Sequence, residues 1–149
     1  ETSRSMRKLA QFFERLARLR DIEAMYRRAL ESFEDKFGAD TDHPAALSVM
    51  SDFARLLELQ DKLKEAQALY RHVLQMRTEK LGEDHSETLL TADSLGLLLQ
   101  AQGEHDAALP LHQRALKGLE GKLGAEHPST LRCMSNLAML LAAQGKLNG

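Results

Sequence analysis

A short motif occurs three times at a nearly constant interval, and this repetition limits the possible folds more than any other feature of the chain. The three copies are GADTDHPAAL, GEDHSETL and GAEHPSTL, which begin at Gly38, Gly82 and Gly124. Their histidines, and several leucines and glutamines after them, recur every 42 residues: His43, His85 and His127; Leu56, Leu98 and Leu140; Gln60, Gln102 and Gln144. Such a period indicates stacked structural units that bury their apolar faces against their neighbours.

Each unit is predicted to contain two helices. Apolar residues within residues 86–102 recur at helical spacing on one face, and a second helical pattern follows Gly103. Alternating strand patterns are absent from the sequence. The predicted helices cover residues 4–17, 20–36, 45–59, 62–80, 86–102, 105–122 and 129–143. We therefore expect an all-α fold in which seven helices form stacked antiparallel pairs.

The recurring motif is interpreted as the joint between successive pairs. Gly38, Gly82 and Gly124 follow the second helix of each pair, where a C-terminal cap requires positive φ. Pro44 and Pro128 fall in the first turn of the next helix, where the missing N–H costs nothing. Ser86 is the predicted N-cap of its helix.

Residues at equivalent positions of the repeats predict how the helices of a pair pack. One position of the first helices carries only alanine or glycine, which allows two helix axes to approach closely: Ala10, Ala54, Gly96 and Ala138. His112 occupies the position of Tyr26 and Tyr70 in the second helices, so we expect it to pack in the interior. Cys133 is expected to be a small core residue.

The repeated segments resemble a known family. The stretches HPSTLRCMSNLAMLLAAQGKL and EAQALYRHVLQMRTEKLGEDH are similar to the 42-residue tetratricopeptide repeats (TPRs) of kinesin light chains and nephrocystin-3-like proteins. The resemblance implies a right-handed α-solenoid whose first helices line a concave groove. It covers the whole chain and implies a single array over residues 1–149, with repeats at 3–38, 43–82 and 85–124 and the first helix of a truncated repeat at 127–149.

The resemblance also implies candidate groove residues. In the family, an Asn–Asn pair on the first helix holds peptide backbone, and this chain has Ser135–Asn136 at one such position. Equivalent positions and their helical neighbours complete the predicted partner-binding set: Arg4, Arg7, Lys8, Gln11, Arg15, Ser51, Asp52, Arg55, Leu90, Asp93, Ser94, Leu97, Arg132, Ser135, Asn136 and Met139.

The uneven charge of the chain leaves one feature open to several interpretations. The formal net charge is −2, which gives no overall attraction to nucleic acid or to an acidic membrane. Residues 2–20, however, contain six cations and one carboxylate. Three of the arginines and one glutamine form a stripe along one helix face, called here the basic stripe: Arg4, Arg7, Gln11 and Arg15. It is a solvated face, a site for an acidic or acidic-aromatic segment, or a nucleic-acid contact.

The sequence also argues against chemistry at the repeated histidines. Equivalent points on packed repeats lie about 10 Å apart, whereas a zinc–nitrogen bond is about 2 Å long. The sequence has no glycine-rich phosphate loop and no Ser/His/Asp arrangement on a strand-turn-helix. It also has no apolar run of the ~20 residues that a membrane span needs. We expect a protein that is not an enzyme and that uses no metal, cofactor, membrane or nucleic acid.

The expected function is a cytoplasmic protein–protein interaction module, or scaffold, which binds a peptide or protein segment in the groove; an acidic segment is one candidate. The single cysteine makes a reducing compartment the default expectation. One alternative is a structural spacer whose copies associate through their open ends. Another is a sensor array of a larger signalling NTPase, or a kinesin light chain-like adaptor.

Overall fold

The computed structural model describes residues 2–38 and 43–148, and every regular element in these two ranges is an α-helix. The elements are α1 Thr2–Phe37, α2 Pro44–Leu59, α3 Leu63–Leu81, α4 Ser86–Ala101, α5 His105–Leu123 and α6 Pro128–Asn148. The expectation of an all-α fold is confirmed. The outermost residues of the predicted array, 1 and 149, and residues 39–42 of its first joint lie outside the described ranges.

The structure has six helices instead of seven because the first two predicted helices form one continuous helix, α1. A left-handed residue follows the first helix of a pair elsewhere: Asp61 has φ 62° and Gly103 has φ 81°. Ala17 stands at the equivalent position, 44 residues before Asp61. A left-handed backbone costs an ordinary residue about 1–2 kcal/mol because its β-carbon collides with the backbone, so the helix continues through Ala17.

Helix α6 also runs further than predicted, to Asn148 instead of residue 143. It continues through Gly145, although the equivalent Gly103 lies just beyond the end of α4. Glycine permits a left-handed turn without requiring one, so this residue alone does not end a helix.

The predicted glycine caps are confirmed. Gly38, Gly82 and Gly124 have φ values of 92°, 95° and 92°. The N–H of Gly82 donates to the carbonyl of Thr78 at 3.1 Å, and that of Gly124 to the carbonyl of Glu120 at 3.1 Å. These bonds satisfy carbonyls at the helix end, so each joint begins with a well-defined cap.

The N-cap of the following helix is the repeated histidine, not Ser86 as the sequence predicted. Nδ1 of His85 accepts a hydrogen bond from the N–H of Glu87 at 3.1 Å. His43 and His127 make the same contact with Ala45 and Ser129, also at 3.1 Å. The recurrence of histidine therefore has a structural cause, since each one binds a free N–H at a helix start.

The chain divides into two compact units, Glu1–Asp61 and Lys62–Gly149. In the first unit, the second half of α1 packs against α2. The ring of Tyr26 stacks on Phe53 with centroids 5.8 Å apart, and the guanidinium of Arg27 lies 5.0 Å from the Phe53 ring centre. Nε2 of Gln60 donates to the carbonyl of Leu19 at 3.4 Å, which links the end of α2 to the middle of α1.

The second unit contains α3 to α6, and α4 contacts the other three helices. Its core is rich in leucine, as shown by Leu95, Leu98 and Leu99, each 1% exposed. A β-carbon added at Gly96 would lie 2.9 Å from the imidazole of His112. Alanine would therefore require a shift at this point, which confirms the close approach predicted for this pair.

Candidate functional site

A buried polar cluster joins three helices of the second unit. Asp93 on α4, His112 on α5 and Asn136 on α6 are 3%, 0% and 7% exposed. Nδ1 of His112 lies 2.7 Å from Oδ1 of Asp93. Nδ2 of Asn136 donates to the other oxygen, Oδ2, at 3.1 Å. Both oxygens of the Asp93 carboxylate are thus engaged, and Asp93 is the centre of the network.

Cys133 borders this cluster. Its side chain is fully buried, and Sγ lies 3.6 Å from the backbone carbonyl of His112. Burial, followed by the nearby Asp93 carboxylate, raises the pKa of the Cys133 thiol from 9.0 to about 12. The thiol is therefore protonated at neutral pH and is a poor nucleophile. The predictions that Cys133 is a core residue and that His112 packs in the interior are both confirmed.

Asp93, His112 and Cys133 are the described residues that could hold a metal. Their ligand atoms lie within 4.8 Å of one another, and carboxylate, imidazole and thiolate are all ligands of zinc. In the observed arrangement, however, both oxygens of the Asp93 carboxylate are already engaged, one by His112 and the other by Asn136. The geometry corresponds to a polar network that holds α4, α5 and α6 together.

The structure places the predicted groove residues in different environments. The five on α1 are exposed: Arg4, Arg7, Lys8, Gln11 and Arg15. On α2, Asp52 and Arg55 are exposed and Ser51 is half-buried. The residues of the second unit that reach the surface are half-buried on α4 and exposed on α6: Leu90, Ser94 and Leu97; Arg132, Ser135 and Met139.

Asp93 and Asn136 are the two members of the predicted groove set that the structure places in the interior. Their side chains bind each other, and Asp93 also binds His112. Both carboxylate oxygens of Asp93 are engaged in the cluster, and Nδ2 of Asn136 donates to one of them, so the pair connects α4 to α6. Their assignment to a partner-binding groove stays a prediction. The repeat register correctly aligned Asn136 with Ser94, but it gave no information on burial.

The Asp93–Asn136 bond defines the surface around it. Leu90 and Leu97 lie about one turn to either side of Asp93 on α4, and Arg132 and Met139 lie about one turn to either side of Asn136 on α6. We call this the α4–α6 surface and include Ser94 and Ser135 in it. Met139 is 51% exposed, which is high for a large apolar side chain.

The sequence did not predict a shallow depression on α5. It is lined by Asp84, Arg114, Lys117, Gly118, Gly121 and Lys122. The sequence signal that could have indicated this depression is the pair Gly118 and Gly121, three residues apart within one helix. The β-carbon of a residue at Gly118 would collide with Leu89, whereas the space at Gly121 is open. Gly118 thus allows α5 to approach α4 closely.

Among the described residues, no helix is both long and apolar enough to cross a membrane.

The fold defines an α-helical repeat protein in which glycine and histidine caps recur at each joint. The chain belongs to the tetratricopeptide repeat family, whose model matches residues 1–79, 47–121 and 87–148. These matches overlap and together cover almost the whole sequence, which confirms the resemblance seen in the repeated segments. No curated protein matches the chain significantly.

Solved structures show the same fold. BtubC (BKLC) from P. vanneervenii has a TM-score of 0.75 at 18% identity, over 88% of this chain and 51% of that chain. This chain therefore spans about half of that protein. Two crystal structures of a Podosopora anserina putative kinesin light chain with nearly identical TPR-like repeats have TM-scores of 0.79 and 0.78 at 22% and 23% identity. Each match covers 97% of this chain and 68% of that one.

Proposed function

We propose that the chain is a non-enzymatic, cytoplasmic protein–protein interaction module that binds segments of other proteins along its first helices. TPR repeats generally mediate protein–protein interactions and are typically non-enzymatic. The main observation that supports the proposal is the α4–α6 surface, where Met139 is 51% exposed on α6 and Leu97 is half-buried on α4, each about one turn beyond the Asp93–Asn136 bond. The division into repeats at 3–38, 43–82, 85–124 and 127–149 stays a prediction.

The α4–α6 surface can anchor an apolar or aromatic side chain of a partner. Burial of apolar area contributes about 25 cal/mol per Å², and Met139 is flexible enough to adapt to the bound shape. Arg132, which is exposed on the same face, can bind a carboxylate of the same segment. An extended segment loses conformational entropy on binding, which weakens the complex. We therefore expect a dissociation constant on the order of 10⁻⁶ M or larger.

The basic stripe on α1 is treated as a separate candidate surface. Arg4, Arg7 and Arg15 are exposed on one helix face, so their field can attract acidic residues despite the negative net charge. Salt screens such exposed charges, so binding at this stripe should weaken as ionic strength rises. A purely solvated face would show no binder, and a nucleic-acid contact would instead favour an oligonucleotide.

The experiment screens acidic and acidic-aromatic peptides at low salt and measures the affinity of each binder for four variants. Met139→Asp should abolish anchoring, whereas Met134→Asp, at a residue 40% exposed on the opposite face of α6, should not. Arg7→Glu with Arg15→Glu should abolish the binding of acidic peptides, whereas Arg20→Glu with Arg28→Glu, at two exposed arginines off the stripe, should change it little.

Equal losses in both charge variants would show that only general charge matters at α1. An absence of binders would contradict the interaction module and favour the structural spacer. If a longer protein that contains this chain binds a peptide, and Met139→Asp abolishes that binding, the result would instead favour the sensor array or the kinesin light chain-like adaptor.

A further inference from the structure

The first half of α1 exposes a continuous apolar face. Met6 is 65% exposed, Leu9 and Phe12 are each 55% exposed, and Phe13 is 59% exposed. These residues lie on the side of the helix opposite the basic stripe. Clustered large apolar side chains of this kind usually mark an interaction surface.

The repeat register shows that this face corresponds to a helix–helix interface. Leu9, Phe12 and Phe13 are equivalent to Phe53, Leu56 and Leu57 on α2 and to Leu95, Leu98 and Leu99 on α4. All six equivalents are buried, with exposures between 1% and 6%. The exposed residues on α1 therefore occupy positions that other first helices bury.

The second half of α1 is exposed in a complementary way. Ile22 is 39% exposed, although its equivalents Ala66 and Ala108 are completely buried. Met25, one turn further, is 65% exposed. The two halves of a helix pair are thus both incompletely covered, and the continuous helix through Ala17 holds them apart.

We propose that two copies of this chain pair through antiparallel α1 helices, so that the first half of each α1 covers the second half of the other. The arrangement would replace the contacts of a closed helix pair by the same contacts between chains. In the second unit, Gly96 packs on His112, and their equivalents in α1 are Ala10 and Tyr26. Ala10 of one copy would accordingly face Tyr26 of the other, with the symmetry axis near residue 18.

The charges of α1 favour the antiparallel direction. Residues 2–20 contain six cations and one carboxylate, whereas residues 21–37 contain five carboxylates and three cations. Antiparallel pairing places the basic half of each helix beside the more acidic half of the other. A parallel pair would place the two basic halves together, which is unfavourable.

The backbone at Ala17 favours exchange between chains over closure within one chain. A closed pair needs a turn here, and the equivalent residues Asp61 and Gly103 have φ values of 62° and 81°. Because alanine adopts positive φ at a cost of about 1–2 kcal/mol, the open helix is the lower-energy backbone at this position. Exchange of an identical element between copies then restores the buried contacts.

The first test is the mass of the 149-residue chain in solution, measured by sedimentation equilibrium over a range of concentrations. We expect a dimer. Phe13→Glu should make the chain monomeric without loss of helix, whereas Leu141→Glu, at a residue 50% exposed on α6, should leave the dimer intact. A monomer at all concentrations would overturn the proposal, as would a dimer that Leu141→Glu dissociates and Phe13→Glu does not.

The second test concerns the turn. Ala17→Gly should lower the dimer fraction because glycine allows the chain to close on itself. Ala24→Gly, at an exposed position of the same helix, carries the same loss of helix propensity, about 1 kcal/mol, and should not change the dimer fraction. Equal effects of the two glycines would contradict the assigned role of Ala17.

The third test measures direction with spin labels on Cys133→Ala chains. Because residue 18 lies near the proposed symmetry axis, labels on Arg18→Cys should be separated only across the helix pair, by the roughly 10 Å between the helix axes and the reach of the two labels. Labels on Arg4→Cys should lie roughly 40 Å apart along the antiparallel axis, from a rise of 1.5 Å per residue. Short distances for both labels would indicate a parallel pair and overturn the proposed arrangement.

Discussion

Oδ1 of Asp93 lies 2.7 Å from Nδ1 of His112, and this buried pair joins α4 to α5. The second oxygen of the carboxylate accepts a hydrogen bond from Asn136, so the same residue also joins α4 to α6. At the equivalent positions of the preceding repeat stand Ser51 and Tyr70, which cannot form this pair. The polar contact is therefore specific to one place in the array.

Removal of the carboxylate should be strongly destabilising. Asp93→Ala leaves buried donors on His112 and Asn136 without their acceptor, and loss of one partner of a buried pair costs about 3–5 kcal/mol. Urea denaturation should show a loss of this size. Asp52→Ala, at an exposed position of α2, is the matched control and should change the free energy of unfolding by less than about 0.5 kcal/mol. A similar small effect for Asp93→Ala would show that the network does not stabilise the fold.

Cys133 should make the stability of the protein depend on pH in alkaline solution. Its thiol titrates near 9.0 when unfolded and near 12 when folded. The stabilisation is fully present below pH 9 and is lost as the pH rises towards 12, because the unfolded chain then releases a proton that the folded chain keeps. The free energy of unfolding of the wild type should fall faster with pH than that of Cys133→Ala, by up to about 1.4 kcal/mol per pH unit. Parallel curves would contradict the burial of the thiol.

The two glycines of the depression on α5 should respond in opposite ways to alanine. Gly121→Ala adds a methyl group in open space within a helix and should stabilise the protein by up to about 1 kcal/mol. Gly118→Ala should give no gain or a loss, because its β-carbon meets Leu89, which is itself buried against Ala115 and Leu119. Thermal denaturation of the two variants compares them directly, and equal shifts would show that Leu89 moves aside freely.

Loss of a histidine N-cap should have a moderate effect. His85→Ala leaves the N–H of Glu87 without its acceptor and should lower the free energy of unfolding by about 1 kcal/mol, as for other side-chain caps. His72→Ala removes an exposed histidine from the interior of α3 and serves as the control. Equal free energies of unfolding for the two variants would show that the hydrogen bond of the His85 cap does not stabilise the protein.

Much of the fold could be predicted because its signals are local. The positive φ values of Gly82 and Gly124 and the start of α2 at Pro44 follow from steric properties of single residues. The interior position of His112 followed from its alignment with Tyr70. The N-cap of α4 was assigned to Ser86 instead of His85 because the preference for serine is general, whereas capping by His85 depends on the local approach of its ring to the N–H of Glu87.

The sequence by itself determined the helical repeat, the glycine caps and the family, since each depends on spacing along the chain and on backbone sterics. The tertiary structure alone decided which polar residues are buried. Asp93 and Asn136 have the spacing of surface residues, but the approach of α5 and α6 to α4 encloses them and pairs their charges and dipoles. The continuous α1 is an intermediate case, because Ala17 disfavours a turn locally. A closed helix pair would have to offset that cost with packing energy. Packing energy is a property of the assembled fold and not of any local segment.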